Sequence, residues 1–191
     1  MINIKELEKL IEDEDFKYIF LDVDGVVFHS IEAIVKILNK EYNMNVDPRD
    51  VLSWNFSNCY FEMTDKKIEQ LFGTTTFFNN VKMIKGAKEF ILKHIDKVIL
   101  ITKGGQENIN RKRNYFDLND LGKVRMVGIP LDMSKNIINM TNSLFIDDST
   151  NNLNDVLTAK YKIQFVEYGE HIANKCAWAK GWDGERMESW V

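Results

Sequence analysis

Cysteine, proline and histidine are scarce in this 191-residue chain, and no apolar run approaches the length of a membrane-spanning helix. Cys59 and Cys176, the two cysteines, stand far apart in sequence and leave room for one disulfide at most; reduced thiols are expected. His29, His94 and His171 have no zinc-ligand spacing with one another or with the cysteines, which excludes a structural zinc site. Positive charge is also short. The net charge of −4 gives no field that would draw a nucleic acid polymer or an anionic membrane. Met1 to Asp15 is acidic and amphipathic, without a basic start or an apolar centre, so it does not read as a secretion signal. A cytoplasmic protein is expected. There is no repeat and no low-complexity linker. What remains is ordinary globular composition, 45% hydrophobic and 28% charged, enough for one domain with a sizeable core.

Asn3 and Glu6 have capping-box spacing ahead of Leu7, Leu10 and Ile11, so the chain opens with a helix. Tyr18-Ile19-Phe20-Leu21 then runs into Asp22, bounded by charge before and Gly25 after, the pattern of a strand buried on both faces. Similar runs are Val98 to Ile101, Val124 to Gly128, Ser143 to Ile146 and Ile163 to Val166. Helical patterns separate them at Ala87 to His94, Glu107 to Phe116, Ser134 to Met140 and Leu153 to Lys160. Strands alternating with helices predict an α/β fold, a parallel sheet covered on both faces. Residues 30–85 break the alternation. Ile31, Ile34, Val35, Leu38 and Tyr42 form one helical stripe, Asp47-Pro48 reads as a helix start, and Thr64 and Gly73 bracket another helix. The expected organisation is a core of residues 1–29 and 86–191 with a helical insertion, 30–85, after the first strand.

Three polar clusters close three of the predicted strands: Asp22-Val23-Asp24-Gly25, Thr102-Lys103-Gly104-Gly105 and Asp147-Asp148-Ser149. In a parallel sheet these ends share one edge, where open α/β folds bind their ligands. Four carboxylates gathered there repel one another unless a cation neutralises them. All-oxygen donors favour a hard ion, and Mg²⁺ is the choice when phosphate shares the shell.

These strings carry a resemblance. Phe20-Leu21-Asp22-Val23-Asp24-Gly25-Val26 resembles the first motif of the haloacid dehalogenase (HAD) superfamily; Ile99-Leu100-Ile101-Thr102 resembles the second, Lys135 the third, and Phe145-Ile146-Asp147-Asp148 the fourth. The insertion resembles the C1-type helical cap, and Met83 to Ala87 resembles the return from it. The resemblance implies a Rossmann-like core and a phosphatase. Asp22 would be the nucleophile and Asp24 the general acid and base. Asp22, the Asp24 carbonyl, Asp147 and Asp148 would hold Mg²⁺, with Asp148 acting through water or orienting Lys135 instead. Thr102, Lys103, Lys135, Gly25 and the neighbouring amides would bind phosphate. Lys123 competes for the third motif but precedes a predicted strand, on the wrong edge of the sheet.

Cap size and the Asp-Val-Asp-Gly-Val string are most similar to the 5′-nucleotidase and 5′(3′)-deoxyribonucleotidase type C family, which implies a nucleoside monophosphate substrate. Phe28, His29, Trp54 and Phe56 are the candidates for the substrate pocket. Tyr60, Phe61, Phe77 and Phe78 are further aromatics of the insertion, and most of the group is expected to form its own small core. Arg111, Lys112 and Arg113 read as a solvated helix face. Trp178, Trp182 and Trp190 read as packing groups. The expected partner is a small phosphomonoester, in a monomer or homodimer. Alternatives from other classes are a sugar phosphatase, a phosphotransferase or phosphomutase, an inactive phosphate-binding module, and a receiver-like signalling domain. A receiver carries its paired acids on the first strand, whereas here they come on a late one.

Overall fold

The computed structural model describes residues 1–60 and 62–191; Phe61 lies outside the described residues. In chain order the elements are α1 (Ile4–Glu14), β1 (Tyr18–Asp22), α2 (Ser30–Glu41), α3 (Asp65–Phe72), α4 (Thr75–Asn80), α5 (Ala87–Lys93), β2 (Val98–Lys103), α6 (Gln106–Leu118), β3 (Arg125–Ile129), β4 (Ser143–Asp147), α7 (Thr150–Asp155), β5 (Tyr161–Phe165), α8 (Glu170–Ala173) and β6 (Glu185–Met187). Short 3₁₀ turns occupy Pro48–Asp50 and Lys135–Ile137. The six strands form one sheet in the order β3-β2-β1-β4-β5-β6, and every neighbouring pair is parallel. This is the expected α/β architecture.

The strands sort their side chains by parity. Ile19 and Leu21 of β1, Leu100 of β2 and Leu144 and Ile146 of β4 join one hydrophobic layer, whereas Phe20, Ile101 and Phe145 join the other. Successive side chains of a strand point to opposite faces, so unbroken apolar runs fill both layers. The same rule aims the residues that end the strands. Phe20 pairs with Phe145 in register, so Asp22 and Asp147, each two residues further on, project to one side of the sheet. Thr102, two residues after Leu100, projects to the other.

Local sequence explains most element boundaries. The Asn3–Glu6 capping box closes reciprocally on α1, and Thr64 caps α3 through the amide of Lys67. Two helix expectations change. Ser134 to Met140 forms only the 3₁₀ turn 135–137, with Ser134 capping Asn136. The last predicted helix lies earlier, as α7, and ends at Asp155 instead of reaching Lys160. Strand β6 went unrecognised because three residues, Glu-Arg-Met, are too short for a periodic signal.

The segment between β1 and α5 is helical, as the stripe from Ile31 to Leu38 predicts. Its ends are joined. The His29 amide donates to the Lys82 carbonyl (2.9 Å) and the Ile84 amide to the Val27 carbonyl (2.8 Å). Gly86 opens α5 with φ +88°, and a Cβ there would lie 2.5 Å from the Trp190 carbonyl oxygen. His29 is further tied to the core by an ion pair with Glu167, which follows β5. That hydrogen bond raises the His29 pKa above 6.5 against the opposing effect of burial, while burial raises Glu167.

Two outcomes follow from these ties. Gly86→Ala should destabilise the fold by about 2–3 kcal/mol, because it adds both backbone strain and a steric clash, and thermal unfolding measures it. For His29, a raised folded-state pKa means that its stabilisation is complete below the unfolded value and is lost as pH rises through the folded one. His29→Gln should therefore lower the melting temperature more at about pH 6 than at about pH 9. An equal difference at the two pH values would show that the pair contributes no charge interaction.

Candidate active site

Asp22, Asp24, Thr102, Lys135, Asp147 and Asp148 come together at the carboxyl edge of the sheet, and all six are buried. Lys135 is the centre. The 3₁₀ turn after β3 directs its Nζ between Asp22 Oδ1 and Asp147 Oδ2, 2.6 Å from each. The Ser149 amide (2.8 Å) and Asn152 Nδ2 (3.0 Å) donate to Asp147 Oδ1, so Asp147 is held on both oxygens. Lys123 is exposed ahead of β3, at the other end of the strand.

Asp148 does not orient Lys135, which is taken up by Asp22 and Asp147. It packs instead against Gly25. That glycine has φ +75°, and a Cβ on it would lie 2.7 Å from Asp148 Oδ2. Gly25 thus serves both a backbone conformation disfavoured for other residues and the close approach of a carboxylate. The turn it belongs to is closed by the Gly25 amide on the Phe28 carbonyl (3.0 Å) and by the Phe28 amide on the Val23 carbonyl (2.8 Å).

Oxygen atoms from Asp22, Asp147 and Asp148 all lie within 4.8 Å of one another. One ammonium among three buried carboxylates leaves excess negative charge. Accordingly, the Asp22 carboxyl is pushed up to about 7, first by burial and then by Asp147 and Asp24, against the pull of Lys135. Burial and the charges of Asp147 and Asp22 also raise Asp148 well above the carboxylate range. Burial works against the Lys135 ammonium, yet Asp147 and Asp22 outweigh it and raise its pKa. The donor set is all oxygen and short of positive charge, and so fits a hard divalent cation.

Asp24 turns away from this cluster. Its Oδ1 accepts from Ser30 Oγ (2.7 Å), at the start of α2, and its Oδ2 from the Lys112 ammonium. Lys112 also donates to Thr102 Oγ1 (2.7 Å). The Thr102 side chain is fully buried, and the Gly104 amide beyond it is taken by the Ile129 carbonyl (3.0 Å). Lys112 is therefore no part of a solvated face. It is 0% exposed, whereas Arg111 and Arg113 pair along the helix with Glu107 and Asp117. The signal was present in the sequence. Both arginines have an acid four residues away, but Lys112 has Asn108 and Phe116 at those positions, and all three of these are buried on one stripe.

A cavity of about 390 Å³ opens above Asp22, Asp24 and Lys135. Trp54, Ile68 and Phe72 from the helical segment and Trp178 from the C-terminal stretch give it an apolar lining, and Lys103, Gly104 and Asn108 a polar one, with Asn108 Nδ2 donating to the Phe72 carbonyl (2.6 Å). Trp54 stacks on Phe72 (5.4 Å between ring centres) and meets Trp178 edge-on (5.8 Å). Among the expected pocket residues, Trp54 is in place and three are not. Phe28 is fully buried, stacked on Phe116 (5.1 Å) and edge-on to Tyr115 (4.8 Å). Phe56 is also fully buried, in the hydrophobic core. His29 is engaged with Glu167, outside the cavity. Phe28 packs because the turn at Gly25 folds inward, which the sequence alone does not reveal. Trp178, expected only to pack, is the aromatic group that spacing could not assign to the cavity. Trp190 does pack, stacked on Phe165 (5.4 Å) with its Nε1 on the Val26 carbonyl (2.8 Å).

The fold recurs in solved structures. A HAD family hydrolase from Deinococcus radiodurans, described with bound phosphate and sodium, is similar with a TM-score of 0.59 at 13% identity, over 93% of this chain and 92% of that one. A haloacid dehalogenase-like hydrolase from Streptococcus pneumoniae gives 0.56 at 10% identity, over 91% and 94%. A haloacid dehalogenase-like protein from Agrobacterium tumefaciens gives 0.55 at 15% identity, over 92% and 94%. At such identities the likeness is one of fold. No curated protein matches the chain. The model of one family, described as 5′ nucleotidase, deoxy (pyrimidine), cytosolic type C protein, matches residues 17–188. That match takes in every strand, the helical segment and the six buried residues at the carboxyl edge of the sheet, so the chain belongs to this family of HAD-fold phosphatases.

Proposed function

We propose that the protein hydrolyses a nucleoside 5′-monophosphate or deoxynucleotide in a Mg²⁺-dependent reaction through a phosphorylated Asp22. The observation that carries the reading is the Lys135 ammonium held 2.6 Å from both Asp22 and Asp147 at the floor of an aromatic-walled cavity. Lys135 offsets the charge of Asp22, so that its carboxylate approaches an anionic phosphate with less repulsion. Asp22 attacks phosphorus as the bond to the leaving oxygen breaks. Asp24 supplies the proton that the leaving alcohol needs, and takes one from the water that later cleaves the aspartyl ester. Asp22, Asp147 and Asp148 would hold Mg²⁺, which when bound supplies charge neutralisation and orients the phosphate. Residues 30–85 act as the cap. Its Trp54 and Phe72, with Trp178 of the core, offer flat apolar surface on which a base can pack, and the family match supports that substrate class.

Asp22→Asn should lower Mg²⁺-dependent hydrolysis of p-nitrophenyl phosphate by ~10³-fold or more, with unchanged thermal stability or a gain. Wild-type rates in that variant would refute the nucleophile. Chelation should abolish turnover and added Mg²⁺ restore it. Trp54→Ala should raise KM for a nucleoside monophosphate by ~10-fold, in line with the worth of base stacking, and change p-nitrophenyl phosphate hydrolysis little. A common loss on both esters would assign Trp54 to packing alone.

A further inference from the structure

Lys112 is a second buried ammonium in the site, and neither the carboxylate cluster nor phosphate capture by Lys135 accounts for it. Burying an ammonium costs several kcal/mol unless its partners are close and well aimed. Those partners are Asp24 Oδ2 and, at 2.7 Å, Thr102 Oγ1. The two lysines divide the site. Lys135 contacts Asp22 and Asp147, Lys112 contacts Asp24 and Thr102, and no carboxylate is shared between them. Asp24 is thereby fixed from two directions, because Ser30 Oγ holds its other oxygen at 2.7 Å. One tether comes from a helix of the core and the other from the first residue of α2, where the chain enters the helical segment. Asp24 itself follows β1 in a turn, where a side chain without tethers samples several rotamers. An acid that must meet the leaving oxygen cannot be left to do so.

We propose that Lys112 is a positioning residue that holds the Asp24 carboxyl in line with the leaving-group oxygen, a refinement that rests on the assignment of Asp24 as acid and base. In the first step the Asp22–phosphorus bond forms, the bond from phosphorus to the leaving oxygen breaks, and that oxygen takes the bond's electron pair and the Asp24 proton. In the second step water adds to phosphorus, one of its protons passes to Asp24, and the bond from phosphorus to the Asp22 oxygen breaks, its electron pair returning to the Asp22 carboxylate. Lys112 exchanges no proton in either step.

The test compares leaving groups. p-Nitrophenolate departs without a proton, whereas an alkoxide does not, so loss of an aligned acid falls on alkyl esters. With the full chain and Mg²⁺, Lys112→Met should lower kcat by ~10²-fold for an alkyl phosphate and by less than ~10-fold for p-nitrophenyl phosphate, with KM for either changed by less than ~3-fold. Lys112→Arg should recover part of the alkyl rate. The double variant Asp24→Asn with Lys112→Met removes both charges, which protects the fold, and should be no slower than Asp24→Asn alone. Equal losses on the two esters, a raised KM on both, or additive losses in the double variant would overturn the role of Lys112 while leaving Asp22 untouched. Absence of Mg²⁺-dependent turnover of either ester by the wild-type chain would overturn both that role and the phosphatase mechanism.

Discussion

Like charges pressed together away from water set the terms for this protein. Asp22, Asp147 and Asp148 bring carboxylate oxygens within 4.8 Å of one another at a buried sheet edge, and only positive charge lets them stay. The strand register forces the crowding. With Phe20 opposite Phe145 and Leu21 opposite Ile146, the next residues of adjacent parallel strands are both aspartates. Lys135 reaches them from the 3₁₀ turn at Lys135–Ile137, a few residues beyond the end of β3. Burial first, and the neighbouring carboxylates after it, raise the carboxyls of Asp22 and Asp148 against the pull of that ammonium. The all-oxygen cluster has the donor chemistry that suits a hard cation.

The second acid lives under different rules. Asp24 stands only two residues from Asp22, yet it leaves the cluster and finds Ser30 and Lys112. Two neighbouring carboxylates thus stand in different surroundings, the condition under which such pairs take different tasks. The division depends on Gly25, whose left-handed backbone folds the chain back between Asp24 and Phe28. It also depends on α6, which carries Lys112 beneath both Asp24 and Thr102.

The sheet and its polar edge were legible because their signals are local. Four-residue apolar runs ending in Asp or Thr declare both the strand and the side chain at its end. Lys135 was legible by its place after a strand. Harder to read were groups defined by what stands beside them in space. Phe28 looks like a pocket residue from its distance to Asp24, but the glycine turn points it into Phe116. Lys112 looks solvated among charged neighbours until each neighbour is matched with its own partner four residues away. Trp178 comes from a stretch with weak periodicity and lines the cavity edge-on to Trp54. Tertiary placement, not local propensity, decided these three.

The paired backbone of residues 28–29 and 82–84 has a meaning beyond anchoring. Because the chain leaves and re-enters the core at nearly one point, the sheet experiences everything between as a closed loop. Lengthening such a loop adds entropy only logarithmically. The neck therefore tolerates changes of length, but Ile34, Phe56 and Phe77 of the segment share one buried core with Leu21 and Leu100 of the strands, so a different cover has to rebuild that face.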